Sequence, residues 1–259
     1  MPSVSVNGLS LHYELAGPED GPVLVFSNSL GTELSMWDTQ CESLSKQFRI
    51  LRYDMRGQGK SSVMRGDSSI GQLAEDFLGL LDALRLKQIS FCGLSMGGMI
   101  GMWLAVNASE RLDQLLLCNT AARIGTRDMW NARIASVRRG GMEAISAAVI
   151  ERWFTPGFRA SSTATVERAK TMLEASPVEG YVSCCSAICD MDQTEEVQHI
   201  RTRTLVIVGE KDMATPPDEG RFLAERIPGA QFVQLDAAHL SNIEQSREFT
   251  STIREFLTN

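Results

Sequence analysis

Short, unbroken apolar runs alternate with longer amphipathic stretches along most of this chain, a rhythm that predicts strands alternating with helices. Residues 23–27, 48–53, 89–92, 115–119 and 204–209 are apolar almost throughout, the pattern of strands buried on both faces of a parallel sheet. Residues 231–235 supply a last strand. Ahead of all of these, residues 4–6 and 9–13 flank Asn7-Gly8, which reads as a hairpin closed by a two-residue turn. Residues 70–84 carry Leu and Phe at helical spacing with acids on the other side, and residues 98–107 suit a buried helix. Residues 216–226 open on prolines, tolerated at a helix start, and residues 243–257 form a closing helix. The expected fold is α/β, a mostly parallel eight-stranded sheet flanked by helices. From about residue 120 to 202 the alternation stops and only helical patches remain. That stretch reads as a helical cap inserted after the sixth strand, within a single domain spanning residues 1–259.

The strongest chemical signal lies at one of the strand ends. Gly93-Leu94-Ser95-Met96-Gly97 reads G-x-S-x-G between a predicted strand and a predicted helix, the setting of a nucleophile elbow. The serine there occupies a strained backbone position, so its neighbours two before and two after must be tiny. A serine hydroxyl is a poor nucleophile until a base takes its proton, and the base needs a carboxylate to orient it. Three histidines are available. His12, in the first hairpin, and His199, at the end of the cap, read as structural or solvent-facing. His239 follows the last strand at the C-terminal edge of the sheet, where the elbow also points, and is the candidate base. The acid expected between Ser95 and His239 in chain order is Asp212, beyond the strand at 204–209; Glu210 and Asp236 are the alternatives. Two backbone N–H groups must hold an oxyanion. Met96, after the nucleophile, gives one, and Leu30, in Asn28-Ser29-Leu30-Gly31, gives the other, with Ser29 assisting through its hydroxyl. Asp54-Met55-Arg56-Gly57-Gln58-Gly59-Lys60-Ser61 is read as structural: it lacks the leading glycine of a phosphate loop, and Arg56 braces neighbouring loops.

Composition narrows the setting. The chain has 259 residues, 43% apolar and 22% charged, enough to bury one substantial core. No apolar run reaches membrane-spanning length, and the N-terminus lacks a basic start followed by an apolar stretch, so a cytoplasmic protein without a membrane partner is expected. Six cysteines fit a reducing compartment: Cys92 and Cys118 fall in buried strands, and Cys184, Cys185 and Cys189 read as helix packing rather than metal ligands. A net charge of −7 argues against nucleic acid as a partner. The charge is uneven, however. Residues 120–170 carry nine basic and four acidic side chains, whereas residues 171–200 carry six acids and no Lys or Arg. Most of these read as two solvated helix faces of opposite sign, with one or two arginines turned inward towards an anionic substrate.

Together these residues resemble the α/β-hydrolase superfamily over essentially the whole chain. A narrower resemblance, to 3-oxoadipate enol-lactonases, is carried by Ser27-Asn28-Ser29-Leu30-Gly31-Thr32, Met36-Trp37-Asp38, Leu51-Arg52-Tyr53-Asp54-Met55-Arg56-Gly57 and the elbow. Asn119-Thr120-Ala121-Ala122, Trp130-Asn131-Ala132-Arg133-Ile134, Arg152-Trp153-Phe154-Thr155-Pro156, Gly180-Tyr181 and Asp190-Met191-Asp192 complete it. Met55 and Gln58 stand where Thr and His are commoner, and neither is expected to touch the chemistry. The resemblance implies a small anionic substrate, a five-membered unsaturated lactone bearing an acetate side chain, opened by Ser95 without metal or organic cofactor. On that reading Arg133 clamps the carboxylate, and Trp130 and Trp153 form apolar walls. Other small-ester hydrolases, C–C bond hydrolases and cofactor-free perhydrolases share the same triad. A ligand receptor with slow hydrolysis is the rival from a different class. Serine at position 95 sets aside the relatives with an aspartate nucleophile.

Overall fold

In a computed structural model that describes residues 2–259, the chain opens with β1 (Ser3–Val6) and β2 (Leu9–Ala16). Their two-residue turn puts Asn7 and Gly8 at φ 49° and 79°, the left-handed geometry for which Asn-Gly is suited. There follow β3 (Val23–Ser27), α1 (Asp38–Leu44), β4 (Arg49–Tyr53), α2 (Ile70–Ala83), β5 (Ile89–Leu94), α3 (Met96–Asn107) and β6 (Leu112–Cys118). Five helices come next: α4 (Arg127–Gly140), α5 (Glu143–Trp153), α6 (Pro156–Ser161), α7 (Thr163–Glu174) and α8 (Val178–Cys189). The chain then returns through β7 (Arg203–Gly209), α9 (Pro217–Arg226), β8 (Gln231–Leu235), α10 (Ser241–Glu244) and α11 (Ser246–Thr258).

One eight-stranded sheet results, in the order β1-β2-β4-β3-β5-β6-β7-β8. Only the first two pairings are antiparallel, β1 with β2 and β2 with β4. The central strand β5 is buried at every position, which explains its unbroken apolar run. Helix α2 starts at Ser69, whose hydroxyl accepts from the Gln72 N–H while the Gln72 side chain returns to the Ser69 N–H, a reciprocal cap. Its Phe77 lies between Tyr53 and Phe91, with ring centroids 5.1 Å from each. On the other side of the sheet Trp37 stacks on Phe26 at 4.6 Å and meets Phe249 of α11 at 6.0 Å.

Two elements depart from the sequence expectation. Helix α3 begins at Met96 rather than Gly98, because the elbow feeds directly into it. The closing helix is two helices: Gln245 between α10 and α11 has φ −117° and ψ 47°, and no Pro or Gly marks the break. Among the described residues no helix is long and apolar enough to cross a membrane.

The helices between β6 and β7 lie over the C-terminal edge of the sheet. Helix α8 approaches so closely that a Cβ on Gly180 would sit 1.9 Å from the Gly57 carbonyl oxygen. The oppositely charged faces, expected to be solvated, touch at two points: Arg127 pairs with Asp190 at 2.7 Å and Arg123 with Asp192 at 3.4 Å. All four side chains are more than half exposed, so these pairs add little stability.

Candidate active site

Ser95 stands between β5 and α3 at φ 56° and ψ −114°, a sparsely populated conformation that costs about 1–3 kcal/mol. Its surroundings hold it there. The Ser95 N–H donates to the Cys118 carbonyl (2.9 Å), and its own carbonyl accepts the Thr120 hydroxyl (2.7 Å). A Cβ on Gly93 would lie 2.2 Å from the Gly97 oxygen, and one on Gly97 would lie 2.3 Å from the Ser27 oxygen. Both elbow glycines are therefore required by close approach of backbone to backbone.

Of the three carboxylates considered as acid, Asp212 is the one against His239. Its Oδ2 accepts from His239 Nδ1 (2.8 Å), Asn119 Nδ2 (2.9 Å) and the Thr215 hydroxyl (2.7 Å). Its Oδ1 accepts the N–H groups of Ala214 (2.8 Å) and Thr215 (2.9 Å). Burial pushes this carboxyl up. The imidazole charge of His239 and the hydrogen bonds from His239, Thr215 and Asn119 outweigh it, and the group is held below the usual carboxylate range. Glu210 is exposed, and Asp236 pairs with Lys211 at the surface. With Nδ1 committed to Asp212, the histidine has Nε2 left to take a proton. Ser95 and His239 line one cavity; among the described residues no direct hydrogen bond joins them.

The remaining histidines fall as expected into structural and solvent roles. His12 is buried, with Nδ1 2.9 Å from Asp54, whose carboxylate also takes the N–H groups of Leu34 (2.8 Å) and Lys60 (2.9 Å). His199 is exposed. Arg56 braces α2 through Asp76, at 2.5 Å.

Two backbone N–H groups beside Ser95 are unspent. Around the β3 loop the N–H of Ser29 goes to the Met36 sulfur, that of Gly31 to Gln58 Oε1 (2.9 Å), and that of Gly97 to the Asn28 carbonyl (3.0 Å). Among the described residues, Leu30 and Met96 donate to nothing. Gln58, read from the sequence as remote from the chemistry, supports this loop through Gly31 without lining the cavity.

The cavity is about 280 Å³. Ser29, Leu30, Ser95 and His239 line its sheet side, and Met129, Trp130, Arg133, Val149, Arg152 and Trp153 its helical side. Met213, Ala214 and Thr215 complete it beside the acid. All four residues singled out for substrate contact, Ser29, Trp130, Arg133 and Trp153, are thus brought together. The Arg133 guanidinium lies 5.5 Å from the Trp130 ring and 5.6 Å from the Tyr181 ring. Arg152, read in the sequence as one of several basic side chains and as part of the Arg152-Trp153-Phe154-Thr155-Pro156 motif but not as a substrate contact, faces the same space. Burial first, and the charge of Arg133 second, lowers its pKa. Among the described residues neither arginine pairs with a carboxylate. Sequence reasoning also passed over Thr215, and took Asn119 only as part of a motif that carries the family resemblance. Asn119 carried a signal, being the polar residue that ends an apolar strand at the sheet's C-terminal edge.

The alpha/beta hydrolase fold model matches residues 22–246 of this chain. The sequence is 41% identical over 251 residues to 3-oxoadipate enol-lactonase 2 of Acinetobacter baylyi, covering 97% of this chain and 94% of that protein. The crystal structure of the enol-lactonase from Burkholderia xenovorans superposes with a TM-score of 0.98 at 45% identity, over 100% of both chains. A thermophilic esterase from Thermogutta terrifontis, 31% identical, reaches 0.93 over 99% of this chain and 98% of its own. Sheet order, elbow and near full-length similarity agree: the chain belongs to the α/β-hydrolase family and is a carboxylic ester hydrolase within it.

Proposed function

We propose that this enzyme opens the ring of 3-oxoadipate enol-lactone to give 3-oxoadipate in the breakdown of protocatechuate or catechol. The observation that carries the substrate class is a cavity holding Ser95 together with two arginines that have no carboxylate partner of their own. Such a site favours a ligand that brings its own negative charge. Arg133, with Arg152 beside it, holds the acetate side chain, and Trp130 and Trp153 flank the ring. Ser95 Oγ attacks the lactone carbonyl as His239 Nε2 takes its proton, and Asp212 stabilises the imidazolium. The N–H groups of Leu30 and Met96 hold the oxyanion. Collapse of that intermediate breaks the ring C–O bond and gives an acyl-enzyme. The imidazolium returns its proton to the departing enol oxygen, which stays tethered and tautomerises to a ketone. Water, deprotonated by His239, then releases the product. All six cysteines are free, which suits a reducing compartment, and we assign the enzyme to the cytoplasm, with residues 120–202 as a lid on one hydrolase domain.

The test follows the ultraviolet loss of freshly generated enol-lactone by wild type and Ser95→Ala. Rapid loss in the wild type, reduced by about four orders of magnitude or more in the variant, is expected. A wild type that spares the lactone but cleaves p-nitrophenyl acetate would remove the substrate assignment and leave the nucleophile in place.

A further inference from the structure

The loop that carries His239 is tied to the helical insert on both sides of the histidine, directly on one side and through Glu244 of α10 on the other, and neither link involves Ser95 or Asp212. On one side the Leu240 N–H donates to the Trp153 carbonyl at 3.0 Å. On the other, the Ala238 N–H donates to Glu244 Oε2 at 3.0 Å. The second oxygen of that carboxylate takes the hydroxyl of Thr155, and the Thr155 N–H lies 3.4 and 3.3 Å from the two oxygens. Trp153 ends α5, and Thr155 caps α6, its hydroxyl oxygen accepting the Phe158 N–H at 3.3 Å. Trp153 is also a wall of the cavity.

Glu244 therefore stands between two segments far apart in sequence, one aiming the imidazole and the other bounding the substrate. A carboxylate suits this place because both of its oxygens accept. An amide keeps one acceptor and turns an NH₂ group towards the donors of the other segment.

We propose that Glu244 is a positioning residue, keeping the His239 loop in register with the α5–α6 corner so that the imidazole is aimed at Ser95 only while that corner is docked. This rests on His239 being the base. The corner cannot swing open without releasing the histidine. Passage of substrate is then left to the side of the cavity where Met129 and Met213 are 44% and 63% exposed.

Glu244→Gln, Thr155→Val and the double variant test the proposal. The readouts are kcat and KM on p-nitrophenyl acetate, the rate at which a fluorophosphonate labels Ser95, and the urea midpoint. Glu244→Gln is expected to slow labelling and kcat about tenfold with KM within about twofold, and Thr155→Val to slow both about threefold. The double variant should be no slower than Glu244→Gln, since the two residues share one link. Labelling and kcat within twofold of wild type, with a lowered urea midpoint, would make Glu244 a purely structural group and overturn the proposal. Thr155→Val keeps the Ala238 bond, so the comparison survives if Glu244→Gln folds poorly. Labelling does not depend on the lactone, so a wrong substrate leaves this result untouched. A wild type that is never labelled overturns the base assignment and this proposal together.

Discussion

At the scale of single residues, the site is a set of unlike solutions to one problem, holding reactive groups where water does not level them. Asp212 remains an anion in a buried position because five donors converge on it. Its ionisation below the ordinary carboxylate value of about 3.9 has a consequence for stability. The contribution of a carboxyl depressed in the folded state is complete above the unfolded pKa and is lost as pH falls through the folded one. The difference in Tm between wild type and Asp212→Asn should therefore be widest above about pH 5 and narrow progressively as the pH falls below about 4, as acid-range calorimetry would reveal. Arg133 poses the opposite case, a cation between two aromatic rings with no anion in place. If Arg133 holds the substrate carboxylate as proposed, replacing it with Met removes a charge-assisted hydrogen bond of about 1.5–3 kcal/mol. The preference for anionic lactone over p-nitrophenyl acetate, compared as kcat/KM, should drop by about 10- to 100-fold. An unchanged ratio would mean that Arg152 alone binds the carboxylate.

Secondary elements explain both what the sequence makes legible and what it hides. Strands β3, β5 and β7 are plain in the sequence because burial on both faces demands unbroken apolar runs. Ser95 and His239 are legible for a related reason: one is enclosed by glycines that tight backbone contact requires, the other follows a strand end. Thr215, Arg152 and Glu244 have no such local mark. Each acquires its role from a loop or helix brought to it by the fold, and sequence spacing carries no trace of that meeting. The break at Gln245 is hidden likewise, since the hydrogen bonds of Glu244 to Ala238 and Thr155, not a helix-breaking residue, accompany it. Docking of α8 gives the element-scale prediction. Gly180→Ala drives a methyl group into the Gly57 backbone, and overpacking of this kind costs about 1–3 kcal/mol. Urea unfolding should register that loss, and activity should fall with it because Tyr181, next in the helix, underlies Arg133.

In the whole molecule, an acidic protein of net charge −7 encloses a cavity whose own charged lining is basic. On the proposed mechanism the sheet contributes nucleophile, base and acid from strand ends, and the helices contribute the cations and aromatic walls of the cavity. Chemistry and selectivity thus reside in different layers, joined where Trp153 and Thr155 meet the histidine loop.

Three of the four tryptophans make that division visible to light. Trp37 is fully buried, its indole N–H given to Asn28 Oδ1 at 3.1 Å, so its emission should stay blue until the core itself opens. Trp130 and Trp153 face the cavity, and Trp130 lies beside the Arg133 charge. An anion arriving there neutralises a cation next to an excited indole. A non-hydrolysable carboxylate such as adipate should therefore quench part of the fluorescence in a saturable way. Trp130→Phe should abolish most of that change while leaving the unfolding signal of Trp37 intact. The enzyme carries one chromophore that reports folding and a pair that report occupancy, and stopped-flow fluorescence can follow both without any added label.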